Sequence, residues 1–528
     1  MAALPRTTPT LNRSGTWRAS LFLFALAVWP TWVVDVPPLQ DLANHLATAV
    51  VQSHPLAYPE LASNGFFKTN SAVFLFLHVV GGRLGLPLAA KLFVTLTVGV
   101  GAWIYPRAVA RLAGAQKAST ATLLLWPMVH NWFVAMGMVD YALAVPLALE
   151  VLIQLDAFRR TGAKPTAVMA GTWAVLVWYT HAFAVMVVAL LAILECVAAG
   201  APRELAPKWA AARRLFPPLL PALALTSWSA FAQISSETHA GSGEAFFQGV
   251  LPLLYGLWAE WLWSLTKWTA VSIVAAVTLA WFGVRRFRER VPFFSPLAFG
   301  VLGALYLTLP YHTHRWFYVS SRMLPFLWMA CALRVPTSLP RWAARVLGAA
   351  AVLWSAGLGI EYVQIAGDWD VLRRAEVAIP EGSRLLPLVF DRKGPHGDNT
   401  WPMLHSWGLI VMDRHTSAPL VFAHSRSFPL TYTKEPPRRF HQLNLEVFPS
   451  RMASSKTYCE EIEREVVLDD CTARYVEAWK EFWADAAPRF DRVLMYHPGD
   501  EVRAAIAPAL RIVYDQDGVV VLAHQAPE

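Results

Sequence analysis

Long apolar runs separated by short polar turns fill the first two thirds of the chain; alternating apolar and polar positions replace them in the last third. A bilayer core needs ~17–25 apolar residues per helix. On that measure the pattern predicts about eleven transmembrane helices, near residues 19–36, 87–105, 121–138, 141–158, 166–179, 182–199, 215–232, 268–284, 293–309, 317–333 and 346–362. The apolar run at 71–80 is too short for a span and reads as a helix lying at the interface. Proline and acidic residues follow the first run where a cleavage site would need small ones, so that run reads as a retained anchor. Beyond residue 366 no run could cross a bilayer. Runs at 383–390, 407–412, 492–496 and 518–522 predict strands, and 475–486 and 501–510 predict helices. The expected architecture is a polytopic α-helical membrane protein with an α/β domain over residues 367–528. The preceding divisions are an N-terminal stretch at 1–18 and a membrane domain at 19–366, which includes a first external loop at 37–86.

Charge orients this layout. Only 16% of the residues are charged, too few for an ordinary soluble protein. Basic residues collect in alternate loops: Arg6, Arg13 and Arg18; Arg107, Arg111 and Lys117; Arg159, Arg160 and Lys164; Arg203, Lys208, Arg213 and Arg214; Arg285, Arg286, Arg288 and Arg290; Arg334, Arg341 and Arg345. The opposite loops carry mainly Lys68, Arg83, Lys267, Arg315 and Arg322. The positive-inside rule then predicts a cytoplasmic N-terminus and an extracytoplasmic C-terminal domain. The net charge of +8 follows from topology and gives no reason to expect a nucleic-acid partner. Cys459 and Cys471 both fall in the exported part, where oxidising conditions permit a disulfide; their spacing leaves open whether they pair.

The first external loop carries the chemistry. Leu39, Leu42, Ala43, Leu46 and Val50 recur at the spacing of one helical face, and Pro38 suits a first turn. Asp41, Asn44, His45, Thr48 and Gln52 fall on the other face. Asp41 and His45 are four positions apart and so share one side. The pattern predicts an amphipathic external helix whose polar face presents a carboxylate and an imidazole to a wet cavity. Such a carboxylate can act as a general base or a metal ligand; an interfacial helix with a dipole-favoured acid at its start accounts for it equally well. Asp35, at the mouth of the first span, has the same ambiguity.

Elsewhere, His312, His314, Arg315 and Arg322 cluster in one external turn, where arginine suits bidentate phosphate binding. Interfacial anchoring among Tyr311, Trp316 and Tyr318 is the competing account. His181 lies between two spans and reads first as a capping residue. Asp140 and Glu150 read as helix–helix hydrogen-bonding groups, and Glu260 as a group that could position an acceptor or a metal. The exported histidines, His405 among them, lack ligand spacing.

These residues resemble a known class. The stretches Asp41-Leu42-Ala43-Asn44-His45-Leu46, Gly137-Met138-Val139-Asp140-Tyr141-Ala142-Leu143, Tyr179-Thr180-His181-Ala182-Phe183 and Tyr318-Val319-Ser320-Ser321-Arg322-Met323-Leu324-Pro325, in this layout of spans, look like the GT-C class of integral-membrane glycosyltransferases. The resemblance implies transfer of a sugar from a polyprenyl-phosphate donor to a glycan, lipid or protein acceptor hydroxyl. The setting would be the outer face of a bacterial inner membrane, the mechanism inverting, and Asp41 the base. Arg322, with Arg315 and His314, would receive the departing phosphate; Asp35, His45 and His181 would shape the site or hold a divalent metal, the one cofactor for which there is room. Many members carry a second acid directly after the first-loop Asp, where this chain has Leu42, which points to a divergent bacterial branch. Rival readings are a transporter or flippase of a lipid-linked or anionic substrate, a surface-polysaccharide polymerase or ligase, and a membrane scaffold.

Overall fold

The computed structural model describes residues 13–201, 203–234, 245–313, 316–423, 425, 427–463 and 471–524. Among these, six helices are long and apolar enough to cross a membrane: Leu86–Ala113, Val139–Thr161, Lys164–Val197, Leu205–Ala232, Lys267–Arg285 and Arg341–Ala378. The protein is therefore an integral membrane protein and mostly helical.

The difference from eleven predicted spans has local causes. The stretch Lys164–Val197 holds two of the predicted spans, two helices that meet where the backbone leaves helical geometry at His181 (φ −163°, ψ 112°). The ring Nδ1 of His181 accepts from the Phe183 N–H at 3.2 Å and so caps the second arm. Four others are shorter or interrupted. The first apolar run is the helix Arg13–Val28 followed by a 3₁₀ turn at Trp29–Trp32. The run at 121–138 breaks at Asn131, whose side chain accepts from the N–H groups of Phe133 and Val134 and starts a new short helix, Trp132–Ala135. The last two are Pro296–Thr308, and Leu324–Ala332 behind a 3₁₀ turn at Ser321–Met323.

Two buried carboxylates inside this bundle are matched by hydrogen-bond donors. Arg107 reaches Glu150 through two hydrogen bonds, Nε to Oε2 at 2.9 Å and Nη2 to Oε1 at 3.0 Å, so Glu150 joins two spanning helices. Glu361, fully buried in Arg341–Arg373, accepts from the amide and hydroxyl of both Thr266 and Thr269. It thereby fixes the connection at Thr266–Thr269 that follows Trp263.

After residue 373 a four-stranded sheet forms in the order Leu385–Val389, Arg492–Tyr496, Val519–His524, Leu510–Gln516. The first pair is parallel and the others antiparallel. Helix Cys471–Ala486 buries Tyr475, Trp479, Phe482 and Trp483, a single helical stripe. Cys471 is disulfide-bonded to Cys459 in helix Ser455–Glu463, with Cα atoms 5.8 Å apart. The predicted strand at 407–412 is a helix, Gly408–Arg414. A short apolar run does not discriminate the two by pattern, and here packing decides. A Cβ on residue 408 would lie 2.3 Å from the Ala43 carbonyl oxygen, so a glycine lets this helix seat directly on Leu42–Ser53. A two-stranded pairing of Leu61–Ser63 with Leu430–Tyr432 makes a second tie between the first loop and the C-terminal segment.

The Arg107–Glu150 pair carries a stability prediction. Glu150→Ala strands a guanidinium between helices and should cost roughly 2–3 kcal/mol. Removing both partners should cost less than the single change. Thermal melting of the purified single and double variants checks this; strictly additive losses would show that the pair is not coupled.

Candidate active site

The start of helix Leu42–Ser53 is held by backbone contacts before any side chain acts. Gln40 and Asp41 donate their N–H groups to the carbonyls of Ala135 and Met136, each at 3.1 Å. The approach needs glycine at 137, which has φ +76° and would place a Cβ 2.6 Å from the Asp41 nitrogen. The Gly137 carbonyl in turn accepts from His45 Nε2 at 3.1 Å. Asp41 is thus fixed at the N-cap of its helix, against the turn that leads into Val139–Thr161.

The helix does not present a wet polar face. Every residue from Leu42 to Val51 is buried, because residues of the C-terminal segment cover the side that the sequence reading assigned to water. Asn44 donates to the Leu420 carbonyl at 2.9 Å and accepts from the Phe422 amide at 3.2 Å. His45 is enclosed by Phe74 and Phe422, and burial pushes its pKa down to about 4 despite the nearby Asp41 carboxylate. It is a neutral positioning group in contact with Gly137.

Asp41 keeps a 20% exposed side chain and meets a residue that linear spacing had not brought forward. His405 Nδ1 donates to Asp41 Oδ1 at 3.0 Å, and His405 Nε2 donates to Glu446 Oε1 at 3.3 Å. Two carboxylates on the two ring nitrogens require both nitrogens to be donors, which is the imidazolium form. Burial opposes that charge, but hydrogen bonds and attraction from Asp41 and Glu446 outweigh it and push the pKa up to about 9. The surroundings hold this arrangement. Gln40 Nε2 donates to Asp41 Oδ1 at 3.3 Å while its Oε1 accepts from the Trp401 amide at 2.8 Å. Gln442 donates to Glu446 Oε1 at 2.7 Å. Arg392 bonds the Glu446 carbonyl and the Ser450 hydroxyl, and its guanidinium lies 5.6 Å from the centre of the Trp401 ring.

A second group lies near Tyr318. That ring meets Trp132 edge-on at 5.0 Å, and its phenol sits in the fields of Asp41 and Glu446 as well as of Arg322. Arg322 is buried with its guanidinium over Tyr141 and Phe183, 5.6 and 5.5 Å from the ring centres. Tyr141 donates its hydroxyl to the Arg322 carbonyl at 2.5 Å. Among the described residues the guanidinium has no carboxylate partner, and its Nε is buried without a hydrogen bond. Ser321 beside it donates to Glu260 at 2.6 Å, and burial raises the Glu260 pKa.

The remaining predicted residues divide. His181 touches Tyr141 edge-on at 5.0 Å and so flanks Arg322. Asp35 is exposed, ahead of Pro37. His314 and Arg315 lie outside the described residues. No group of three or more His, Cys, Asp or Glu among the described residues has the geometry to hold a metal. His405, Glu446, Arg392 and Tyr318 were missed as site residues; periodicity could not join position 41 to position 405.

The His405 bridge has a pH consequence. Its folded pKa near 9 exceeds the ordinary 6.5. The stability it contributes is therefore complete below about pH 6.5 and is lost as pH rises through 9. The upper bound is about 3 kcal/mol. Melting curves between pH 6 and 10 should show wild type losing more stability across this window than His405→Ala; parallel curves would contradict the bridge.

No protein-family model and no curated protein matches this sequence. Solved structures do. The crystal structure of ArnT from Cupriavidus metallidurans in the apo state aligns over 96% of this chain and 97% of its own, at 14% identity and a TM-score of 0.51. The structure of ArnT from Cupriavidus metallidurans bound to undecaprenyl phosphate aligns over 97% of each chain, at 13% identity and the same TM-score of 0.51. At such identities the likeness speaks for the fold: over nearly its whole length, this chain has the fold of the GT-C class.

Proposed function

We propose that the protein is a glycosyltransferase that moves a sugar from a polyprenyl-phosphate donor to an acceptor hydroxyl by a single inverting displacement. The observation that supports this reading is an anchored and partly exposed carboxylate, Asp41, together with a buried guanidinium that has no carboxylate partner among the described residues, Arg322, both close enough to Tyr318 to act on its phenol. The GT-C fold and the undecaprenyl phosphate bound by the compared ArnT support the lipid-phosphate class of donor.

In this mechanism Asp41 Oδ1 stays with His405 and Gln40, and Oδ2 takes the acceptor proton. The acceptor oxygen bonds to the anomeric carbon as the bond from that carbon to the phosphate oxygen breaks. The polyprenyl phosphate departs with the electron pair, and Arg322 meets the developing charge. A carboxylate hydrogen-bonded to an imidazolium is a weak base. That suits a displacement in which the acceptor proton moves late, once its oxygen has begun to bond to carbon. His181 flanks Arg322, and His45 keeps the start of the Asp41 helix against Gly137. The setting is the outer face of a bacterial inner membrane, with the N-terminus cytoplasmic.

Asp41→Asn preserves shape and should lower transfer by about 10²–10⁴-fold. Arg322→Ala should lower it by about 10²–10³-fold, with Arg322→Lys recovering part. The assay is release of polyprenyl phosphate from a labelled donor, with the product anomer read by NMR. Undiminished turnover in Asp41→Asn would remove the base, and a retained anomeric configuration would remove the single displacement.

A further inference from the structure

A separate apolar groove of ≈ 670 Å³ opens at the opposite end of the bundle, between the first arm of Lys164–Val197 and the turn joining Leu205–Leu215 to Leu220–Ile234. Phe158, Ala167, Gly171, Val175 and Pro218 form much of its wall. Gly171 lets the two walls approach: a Cβ there would lie 3.1 Å from the Pro218 carbonyl oxygen. One charged side chain lines the groove, Arg213. Arg213 is exposed, lies 5.1 Å from the centre of the Trp209 ring, and has no acidic partner among the described residues. Nearby cations are already engaged: Arg159 pairs with Asp156 and Glu195, and Arg160 with Asp156.

We propose that this groove holds an acyl chain of an anionic phospholipid, with the lipid phosphate against Arg213. An apolar trough that ends at an unpaired guanidinium is complementary to a molecule with a hydrocarbon tail and an anionic head. Helix Leu205–Leu215 has the composition of an interfacial segment, with Lys208, Arg213 and Arg214 beside Trp209 and the exposed Leu205. Helix length argues against the polyprenyl-phosphate donor as the occupant. Asp140 and Tyr141 stand at the candidate active-site end of Val139–Thr161 and Phe158 at the groove, about 27 Å away at 1.5 Å per residue. A phosphate at Arg213 is thus at the far membrane surface from Arg322. The groove belongs to bulk phospholipid, and its occupancy is independent of the transferase reading.

Native mass spectrometry of the full-length protein in detergent tests this, with equal amounts of phosphatidylglycerol and phosphatidylcholine of the same chains. Phosphatidylglycerol adducts should predominate about fivefold. Arg213→Ala, which removes only an exposed side chain, should abolish that preference. Thr172→Trp, which fills the groove, should reduce both adducts. Equal binding of the two lipids by wild type, or an unchanged preference in Arg213→Ala, overturns the proposal. So does undecaprenyl phosphate displacing phosphatidylglycerol in an Arg213-dependent way, which would assign the groove to the carrier lipid.

Discussion

The structure depends on one buried imidazolium held between two carboxylates. Burying a charge costs several kcal/mol unless it is paired and hydrogen-bonded, and His405 meets both conditions only when Asp41 and Glu446 flank it. Asp41 belongs to the first loop; His405 and Glu446 come from the C-terminal segment. The bridge therefore requires that segment to sit on the first-loop helix. Other contacts agree with this constraint: Gly408 against Ala43, Asn44 between Leu420 and Phe422, and the pairing of Leu61–Ser63 with Leu430–Tyr432.

The same constraint shapes the chemistry. An aspartate alone at a helix start would be free to choose rotamers and to accept from its own helix. Here one oxygen is committed to His405 and Gln40, which in the proposed mechanism leaves the other to take the acceptor proton. The turn at residues 132–138 serves both halves of the proposed site. Its Met136 and Gly137 carbonyls fix Asp41 and His45, its Trp132 ring packs on Tyr318, and it leads directly into Tyr141, which holds Arg322. Displacement of this turn would disturb the base and the anion-binding group together.

Much of this was legible in the sequence, for stated reasons. Helical phase separated Asp41 from Asp35; Asp41 bonds His405, and Asp35 is exposed. The charge at Glu150 was read as an interhelical partner and is paired with Arg107. Hydropathy detected the apolar mass and the break between 179 and 182, where two helices meet at His181, but it does not register the Asn131 cap that interrupts the run at 121–138. The polar face of Leu42–Ser53 was assigned to water since periodicity reports which side is polar and not what covers it. His405 and Glu446 were illegible for the same reason. Their partner lies hundreds of residues away, and nothing in local spacing marks a histidine that will be charged by its neighbours.

The central claim is that Asp41 and Arg322 act on one donor near Tyr318. Its most direct test is an experimental structure of the protein with a non-transferable polyprenyl-phosphonate sugar. The account predicts the phosphonate against the Arg322 guanidinium, and the anomeric carbon placed so that an acceptor oxygen bound to Asp41 Oδ2 lies about 3–3.5 Å from it. A phosphonate bound away from Arg322, or a sugar that Asp41 cannot reach through one acceptor hydroxyl, would contradict it.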